Sequence, residues 1–348
     1  MAENVLKRSF EIEGRKIGED AQCFIIAEAG VAHFGSLDIA RSLVDMAAEA
    51  KADAVKFQVF KTDRLVSAGA PEWAARLRPK ELPFSAFEEI KRYAESVGIL
   101  FLATAHEEYS ADFLQELNIP AFKIGSGEVN NLPFLRHLAR KGKPLLISTG
   151  LHDDTEIQGI LDVCHEEGCE DIALFHCVTA YPTPYEEANL RAIPAMQQRY
   201  KIPVGYSDHT VGYEVPLAAV ALGAKLLEKH ICLDKSIAGS QDCRVACDRN
   251  DLLTLVDQAR HVEAALGTGI KTVAESAKRS LVWARKSLVA RHQLRAGQHL
   301  ALDDVVIKRP GTGIRPDEME RAIGKVLVCS LECDEVIKWE HLKADETA

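Results

Sequence analysis

Nowhere in this sequence do apolar residues run to the ~20 that a membrane-spanning helix needs, so helical membrane insertion is excluded. The first ten residues, M-A-E-N-V-L-K-R-S-F, contain no apolar signal core, and a cytoplasmic location is expected. Basic residues are in deficit. With 42 Lys and Arg against 52 Asp and Glu, the formal net charge is −10 and the pI about 5.7, which argues against a nucleic-acid surface. Any anionic ligand must therefore be met by local cations in a pocket. The nine cysteines are odd in number and scattered, unlike a disulfide framework, and read as reduced thiols. Cys243-x-x-x-Cys247 has no second pair to complete a zinc set. No G-x-G-x-x-G follows a strand pattern, so nothing favours a dinucleotide fold, and there are no internal repeats or low-complexity segments.

What is present is an alternation. From 22 to about 267, short apolar runs alternate eight times with amphipathic helical segments. The runs at 23–27, 54–57, 100–103, 121–124, 144–147, 172–175, 203–206 and 225–231 read as strands. The intervening helices are expected near 37–50, 87–97, 110–117, 131–140, 156–167, 190–200 and 214–222, with an eighth at 249–266. Gly98, Gly142, Gly168 and Gly223 stand where helix C-caps belong. Eight βα units in succession predict an α/β chain with a (β/α)8 TIM barrel rather than an open sheet. After Thr268 the texture changes to short, turn-punctuated β segments, with one charged helix near 316–322. The expected organisation is a barrel domain at 1–275, a linker at 276–287 and a small β-rich domain at 288–348.

In such a barrel the site lies at the carboxyl ends of the strands. The polar residues falling there are Glu28, then Lys56 and Gln58 on one face, Lys123 with Ser126 and Glu128 in its loop, and Ser148. Further round come Thr179 and Tyr181, then Ser207 with His209, and Glu228 with His230. His209 and His230 stand at matching points of consecutive βα units, so parallel neighbouring strands would bring both imidazoles to one mouth as a divalent-metal seat. The alternative is an unrelated pair, one capping a helix and one in the core. Lys56 has a plainer alternative too, as a salt-bridged core residue beside Glu28 or Glu228. So many polar groups converging on one rim, however, cost more burial than packing alone explains.

The chemistry of this set can be stated from the residue types. Two lysines, with hydroxyls and the backbone amides of Ser126-Gly127 and Ser148-Thr149-Gly150, suit a phosphate. A histidine-bound cation with open positions suits Lewis-acid action on a carbonyl. Glu28, Glu128 and Asp242, with Tyr181, suit sugar hydroxyls or proton movement. Together these point to carbon–carbon bond formation between a phosphorylated enol and a sugar aldehyde.

The motifs I-A-E-A-G, V-K-F-Q, F-K-I-G-S-G-E, I-S-T-G, A-Y-P-T-P-Y-E, G-Y-S-D-H-T, E-K-H and I-K-R-P-G-T-G-I occur in that order over nearly the whole chain. In them the sequence resembles the sialic acid synthase (N-acetylneuraminate synthase) family, which includes legionaminic and pseudaminic acid synthases. The resemblance implies condensation of phosphoenolpyruvate with an N-acylated amino sugar to a nine-carbon 2-keto acid and phosphate. It also implies that the tail is an antifreeze-like (SAF) domain. By the same resemblance, His209 and His230 are similar to manganese ligands, with Co2+ or Mg2+ as substitutes. Lys56, Lys123, Ser126, Ser148 and Ser207 match positions that hold phosphoenolpyruvate, and Thr179 stands where an asparagine is expected on the phosphate side. Glu28, Gln58, Tyr181, Asp242 and Arg309 match positions around the amino sugar, with Glu128 close to both substrates. Arg309 is expected to act in the partner's barrel within a domain-swapped homodimer.

Departures from the family pattern cluster on the sugar side. The G-P-D-H after the last strand is Gly239-Ser240-Gln241-Asp242-Cys243, N-H-N-G is Ala32-His33-Phe34-Gly35, and T-P-F is Thr104-Ala105-His106. They bear on the identity of the acceptor more than on the reaction. Two rival readings remain: a member that binds sugar or phosphate without condensing them, and a metal-dependent aldol or hydrolytic barrel needing no phosphoenolpyruvate.

Overall fold

The computed structural model describes residues 6–237 and 242–344, so the Gly239-Ser240-Gln241 run lies outside the described residues. The chain divides into two compact units, 1–267 and 268–348.

The first unit opens with an antiparallel hairpin that the sequence reading had not anticipated, β1 (Ser9–Ile12) and β2 (Arg15–Gly18). Eight parallel strands follow: β3 (Phe24–Gly30), β4 (Ala54–Val59), β5 (Leu100–Ala105), β6 (Phe122–Ile124), β7 (Leu145–Ser148), β8 (Ile172–Cys177), β9 (Val204–Asp208) and β10 (Leu226–His230). They pair in chain order, and β10 closes on β3, giving the expected barrel. Helices fill each crossover, from Leu37–Glu49 to Glu214–Ala221, Arg249–Leu266 follows the last strand, and short additional helices at Thr62–Leu65 and Pro71–Leu77 lie after β4. Gly98, Gly142, Gly168 and Gly223 all adopt positive φ at helix ends, where a side chain would be strained.

Strand alternation sorts the core into two. Outward-facing residues such as Ile25, Val55, Phe101 and Leu227 pack against the helices in the larger apolar cluster. Inward residues nearer the strand starts, among them Ile26, Ala54, Leu102, Leu146 and Leu226, form a second cluster with Phe10, Ile12 and Ile17 of the hairpin. The hairpin thus supplies apolar side chains to the amino end of the barrel. At the same end Arg260 closes the seam, bonding the Cys23 carbonyl at 2.6 Å and the Asp53 carboxylate at 2.8 Å, while Asp53 also accepts from the Ile25 amide.

In the second unit, β11 (Ser287–Ala290) pairs antiparallel with β12 (Val305–Lys308). Leu288, Ala290, Leu294, Leu300, Ile314, Leu327 and Ile337 form its own small core, and the expected charged segment is a 3-10 turn, Pro316–Glu318, leading into Met319–Ala322.

Candidate active site at the carboxyl mouth of the barrel

Above the apolar floor, the next inward layer is ionic. Glu28 on β3 pairs in register with Lys56 on β4, and Glu228 on β10 with Ser207 on β9. Lys56 Nζ lies 3.1 Å from Glu28 Oε2 and 3.3 Å from Glu228 Oε2, and donates to Thr104 Oγ1 at 3.1 Å. Lys123 Nζ lies 3.5 Å from Glu228 Oε1 and donates to Ser148 Oγ at 2.6 Å. Ser207 Oγ donates to Glu228 Oε1, and Gln58 Nε2 to Glu28 Oε1, each at 3.1 Å. All four charged side chains are buried.

The two lysines are not equivalent. Burial alone would lower the pKa of Lys56, but Glu228 and Glu28 outweigh it and hold the group above the ordinary lysine value. For Lys123 burial prevails, with the Lys56 charge acting in the same direction, and its pKa falls below that value. Burial pushes Glu228 upward, yet Lys123 and Lys56 together hold it below the usual carboxylate range. Among the described residues Glu28 Oε2 and Glu228 Oε2 meet only the Lys56 ammonium, which they share, so each keeps accepting capacity beyond that ion pair.

Higher in the mouth, the rings of His209 and His230 have centroids 5.4 Å apart. His209 Nδ1 lies 2.7 Å from the Val178 carbonyl, which fixes the proton on Nδ1 and leaves Nε2 with a lone pair. Burial and the neighbouring His230 lower the His209 pKa to about 4, so the ring is neutral near pH 7. Tyr181 packs against His209 with ring centroids 4.1 Å apart and the planes tilted by 33°, and burial followed by the charge of Asp242 raises its phenol pKa. The two histidines fit a divalent cation by donor type, and His209 by its tautomer as well. Among the described residues no group of three or more His, Cys, Asp or Glu forms a fuller set, so remaining positions would fall to water or substrate.

Asp208 and Lys229, the residues immediately before the two histidines, face outward and hold the strand ends. Lys229 Nζ bonds Asp208 Oδ2 at 2.5 Å and the Thr210 carbonyl at 2.6 Å, and Asp208 accepts from Thr210 N and Oγ1. Close approach also matters after β7. A Cβ on Gly150 would lie 2.6 Å from Thr179 Oγ1 and 2.8 Å from Cys177 Sγ, so only glycine allows its amide to reach Ser126 Oγ at 2.9 Å.

One cavity brings together Glu28, Lys56, Gln58, Lys123, Ser126 and Ser148 with Thr179, Tyr181, Ser207, His209 and His230. Glu128 is not in its lining. That residue is half-buried in an adjoining cavity, where Oε2 accepts from Asn131 Nδ2 at 2.7 Å. Asp242 does not line the cavity either, although its charge reaches Tyr181. Arg309 belongs to the second unit, where its guanidinium lies 5.5 Å from the centre of the Trp283 ring. The lining further includes Glu228, placed at this rim from sequence, and Thr104, His106 and Cys177, none of which was assigned a site role from sequence. Strand alternation on β5 and β8 carried the signal for these last three.

A parallel eight-stranded barrel whose carboxyl mouth carries buried lysines, carboxylates and paired imidazoles in one cavity has the make-up of a barrel-enzyme active site. Comparison with known proteins makes the class specific: the NeuB family model matches residues 43–271 and the SAF domain model residues 285–343. The chain belongs to the NeuB family, the sialic acid synthases. It is 38% identical to the N,N'-diacetyllegionaminic acid synthase of Legionella pneumophila, covering 94% of this chain and 96% of that one. Identity to the human N-acetylneuraminate-9-phosphate synthase is 36%, with 94% of each chain covered. A crystal structure of N-acetylneuraminic acid synthetase from Leptospira borgpetersenii superposes with a TM-score of 0.74 at 31% identity, over 80% of this chain and 96% of that one.

Proposed function

We propose that this protein is a metal-dependent synthase that condenses phosphoenolpyruvate with the aldehyde of an N-acylated amino sugar. The product is a nine-carbon 2-keto sugar acid of the sialic acid type, with release of phosphate. The observation that carries the proposal is the buried Lys56–Glu228–Lys123 array beneath a paired His209 and His230 in one cavity.

Lys56 and Lys123, with the hydroxyls of Ser126, Ser148 and Ser207, hold the carboxylate and phosphate of phosphoenolpyruvate. Glu28, Gln58 and Tyr181 orient the acceptor above it, with Asp242 outside the cavity lining. C3 of the enol adds to the aldehyde carbon, and water adds at C2. The tetrahedral intermediate then expels phosphate by C–O cleavage. The water surrenders one proton and the aldehyde oxygen takes one, and Glu28, a cavity-lining carboxylate whose Oε2 meets only the Lys56 ammonium among the described residues, suits that relay. Glu128 stays a candidate for proton movement only if its carboxylate swings from the adjoining cavity.

Charge supports a divalent cation. Two lysines and two glutamates leave the buried quartet formally neutral, so a polyanionic substrate would bring uncompensated negative charge into the barrel. Bound by His209 and His230, Mn2+, or Co2+ or Mg2+ in its place, would compensate that charge and polarise a carbonyl.

A colorimetric phosphate assay with phosphoenolpyruvate, Mn2+ and a panel of amino sugars tests the reaction. Chelator should abolish release and Mn2+ restore it, and His209→Ala or His230→Ala should remove activity while leaving the fold. Oxygen from labelled water in the released phosphate would refute C–O cleavage. Calorimetric binding of sugar without turnover across the panel would favour a non-condensing binder instead.

A cytoplasmic, domain-swapped homodimer completes the proposal, with Arg309 serving the partner's barrel. Its test mixes His209→Ala and Arg309→Ala chains after dissociation: action across the interface restores about a quarter of wild-type activity through random pairing. Action within one chain leaves the mixture at the mutants' level.

A further inference from the structure

His106 sits where two cavities meet. It lines the central cavity beside Thr104 and Lys123, and it also lines the adjoining one with Arg64, Glu107, Glu128 and Asn131. The His106 ring packs edge-on to Phe60 at 6.2 Å, and among the described residues it makes no hydrogen bond. Burial, with the charges of Lys56 and Lys123, lowers its pKa to about 4, so the ring is neutral, with one N–H donor and one acceptor nitrogen. Glu128 is similarly underused. Only its Oε2 is bonded, to Asn131, and no cation pairs with it among the described residues; burial raises its pKa. Glu107, by contrast, is committed to the amides of Lys61 and Ser110.

The adjoining cavity holds one guanidinium, Arg64, against the carboxylates of Glu107, Glu108 and Glu128. The Arg64 guanidinium already stacks on Tyr109 at 4.4 Å from the ring centre. Such a cavity repels phosphoenolpyruvate, whose charge belongs with the lysines of the central cavity. It equally disfavours a phosphorylated arm of the acceptor. An imidazole and a carboxylate with unused hydrogen-bonding capacity instead complement a neutral group that both donates and accepts.

We infer that His106 is a specificity-determining residue that hydrogen-bonds the sugar acceptor and directs a neutral acylamino or hydroxyl substituent into the Glu128 cavity, selecting an unphosphorylated acceptor. The inference deepens the condensation reading above and rests on it for the identity of the two substrates. It also gives a role to the T-A-H segment, which stands where the family pattern has T-P-F. A phenylalanine there could line the same wall but could neither donate nor accept.

The experiment compares wild type, His106→Phe and His106→Asn in phosphate release at saturating phosphoenolpyruvate and Mn2+. The acceptors are N-acetylmannosamine, its 6-phosphate and a neutral diacetamido-trideoxy hexose. Wild type should show its lowest KM for a neutral acceptor. His106→Phe should raise that KM about tenfold or more, the size of one lost hydrogen bond that leaves a polar group unpaired. The KM for phosphoenolpyruvate should not move, and His106→Asn, which keeps a donor and an acceptor, should recover most of the loss. A wild-type preference for the 6-phosphate, or equal shifts in both KM values, overturns the inference. Thermal unfolding checks each variant; if His106→Phe does not fold, His106→Leu removes the hydrogen bonding with less bulk. If wild type releases no phosphate with any acceptor, the condensation reading fails by itself. Calorimetry with the same sugars then decides: neutral-sugar binding weakened about tenfold in His106→Phe and retained in His106→Asn sustains the role of His106. Unchanged or absent binding overturns it.

Discussion

Two buried ionic clusters stand on opposite faces of the barrel wall and meet at β10, and they differ in how well each is satisfied. Outside the barrel, Asp208 and Lys229 are 0% and 1% exposed, and every charged atom has partners: each other, the Thr210 carbonyl, and the Thr210 amide and hydroxyl. Inside it, the Glu28–Lys56–Glu228–Lys123 quartet leaves two carboxylate oxygens sharing the single Lys56 ammonium as their one partner among the described residues, and one lysine with a lowered pKa. Desolvating a charge costs several kcal/mol, so a pair kept where no ligand can reach must satisfy itself. A cluster that faces a cavity can leave valences for a ligand. Complete satisfaction marks structure and incomplete satisfaction marks a binding surface, although all these residues are equally buried.

The largest expected effect is on the outer pair. Lys229→Met leaves Asp208 charged and buried without its cation, and should lower the unfolding free energy in urea by about 3–5 kcal/mol. A loss below about 1 kcal/mol would erase the distinction between the clusters. For the inner cluster the consequences exchange places. Lys123→Met should reduce phosphate release about 100-fold or more, while stability changes by less than about 1 kcal/mol, because a poorly solvated ammonium is removed and Glu228 keeps Lys56.

The same variant predicts a pH dependence. The folded-state pKa of Lys123 lies below its ordinary value of 10.5, so between the two values the unfolded chain binds the extra proton. Stability of wild type relative to Lys123→Met should therefore rise as pH climbs towards 10.5. A flat difference between denaturation curves across the alkaline range would show that Lys123 is better accommodated than its surroundings suggest. The smallest effect belongs to an exposed pair that serves as a control. Arg199 lies 2.7 Å from Asp154 with side-chain exposures of 55% and 60%. Arg199→Ala should stay within about 0.5 kcal/mol of wild type.

Much of this was legible without coordinates. Strand periodicity of two placed Glu228 and His230 on one face, and the same rule aligned Lys56 with Gln58. Eight alternating units predicted the barrel, and glycines at helix ends marked where its helices stop. The hairpin at Ser9–Gly18 escaped because F-E-I-E-G-R-K-I-G reads as a strand pair only once something is there to cover its apolar face. Glu128 and Asp242 were assigned to the site by motif, yet neither lines the central cavity, because motif spacing fixes the loop and not the direction of a side chain.

Local pattern therefore determined which residues face inward and at which end of the barrel they lie, since alternation and chain order require only a few neighbouring residues. Tertiary structure decided which inward residues touch. Glu228 meets Lys56 and Lys123 only because β10 closes beside β3, bringing residues more than 100 positions apart within salt-bridge distance. Cys177 enters the cavity lining, and His106 joins two cavities, through the same closure, whose register no short stretch of sequence contains.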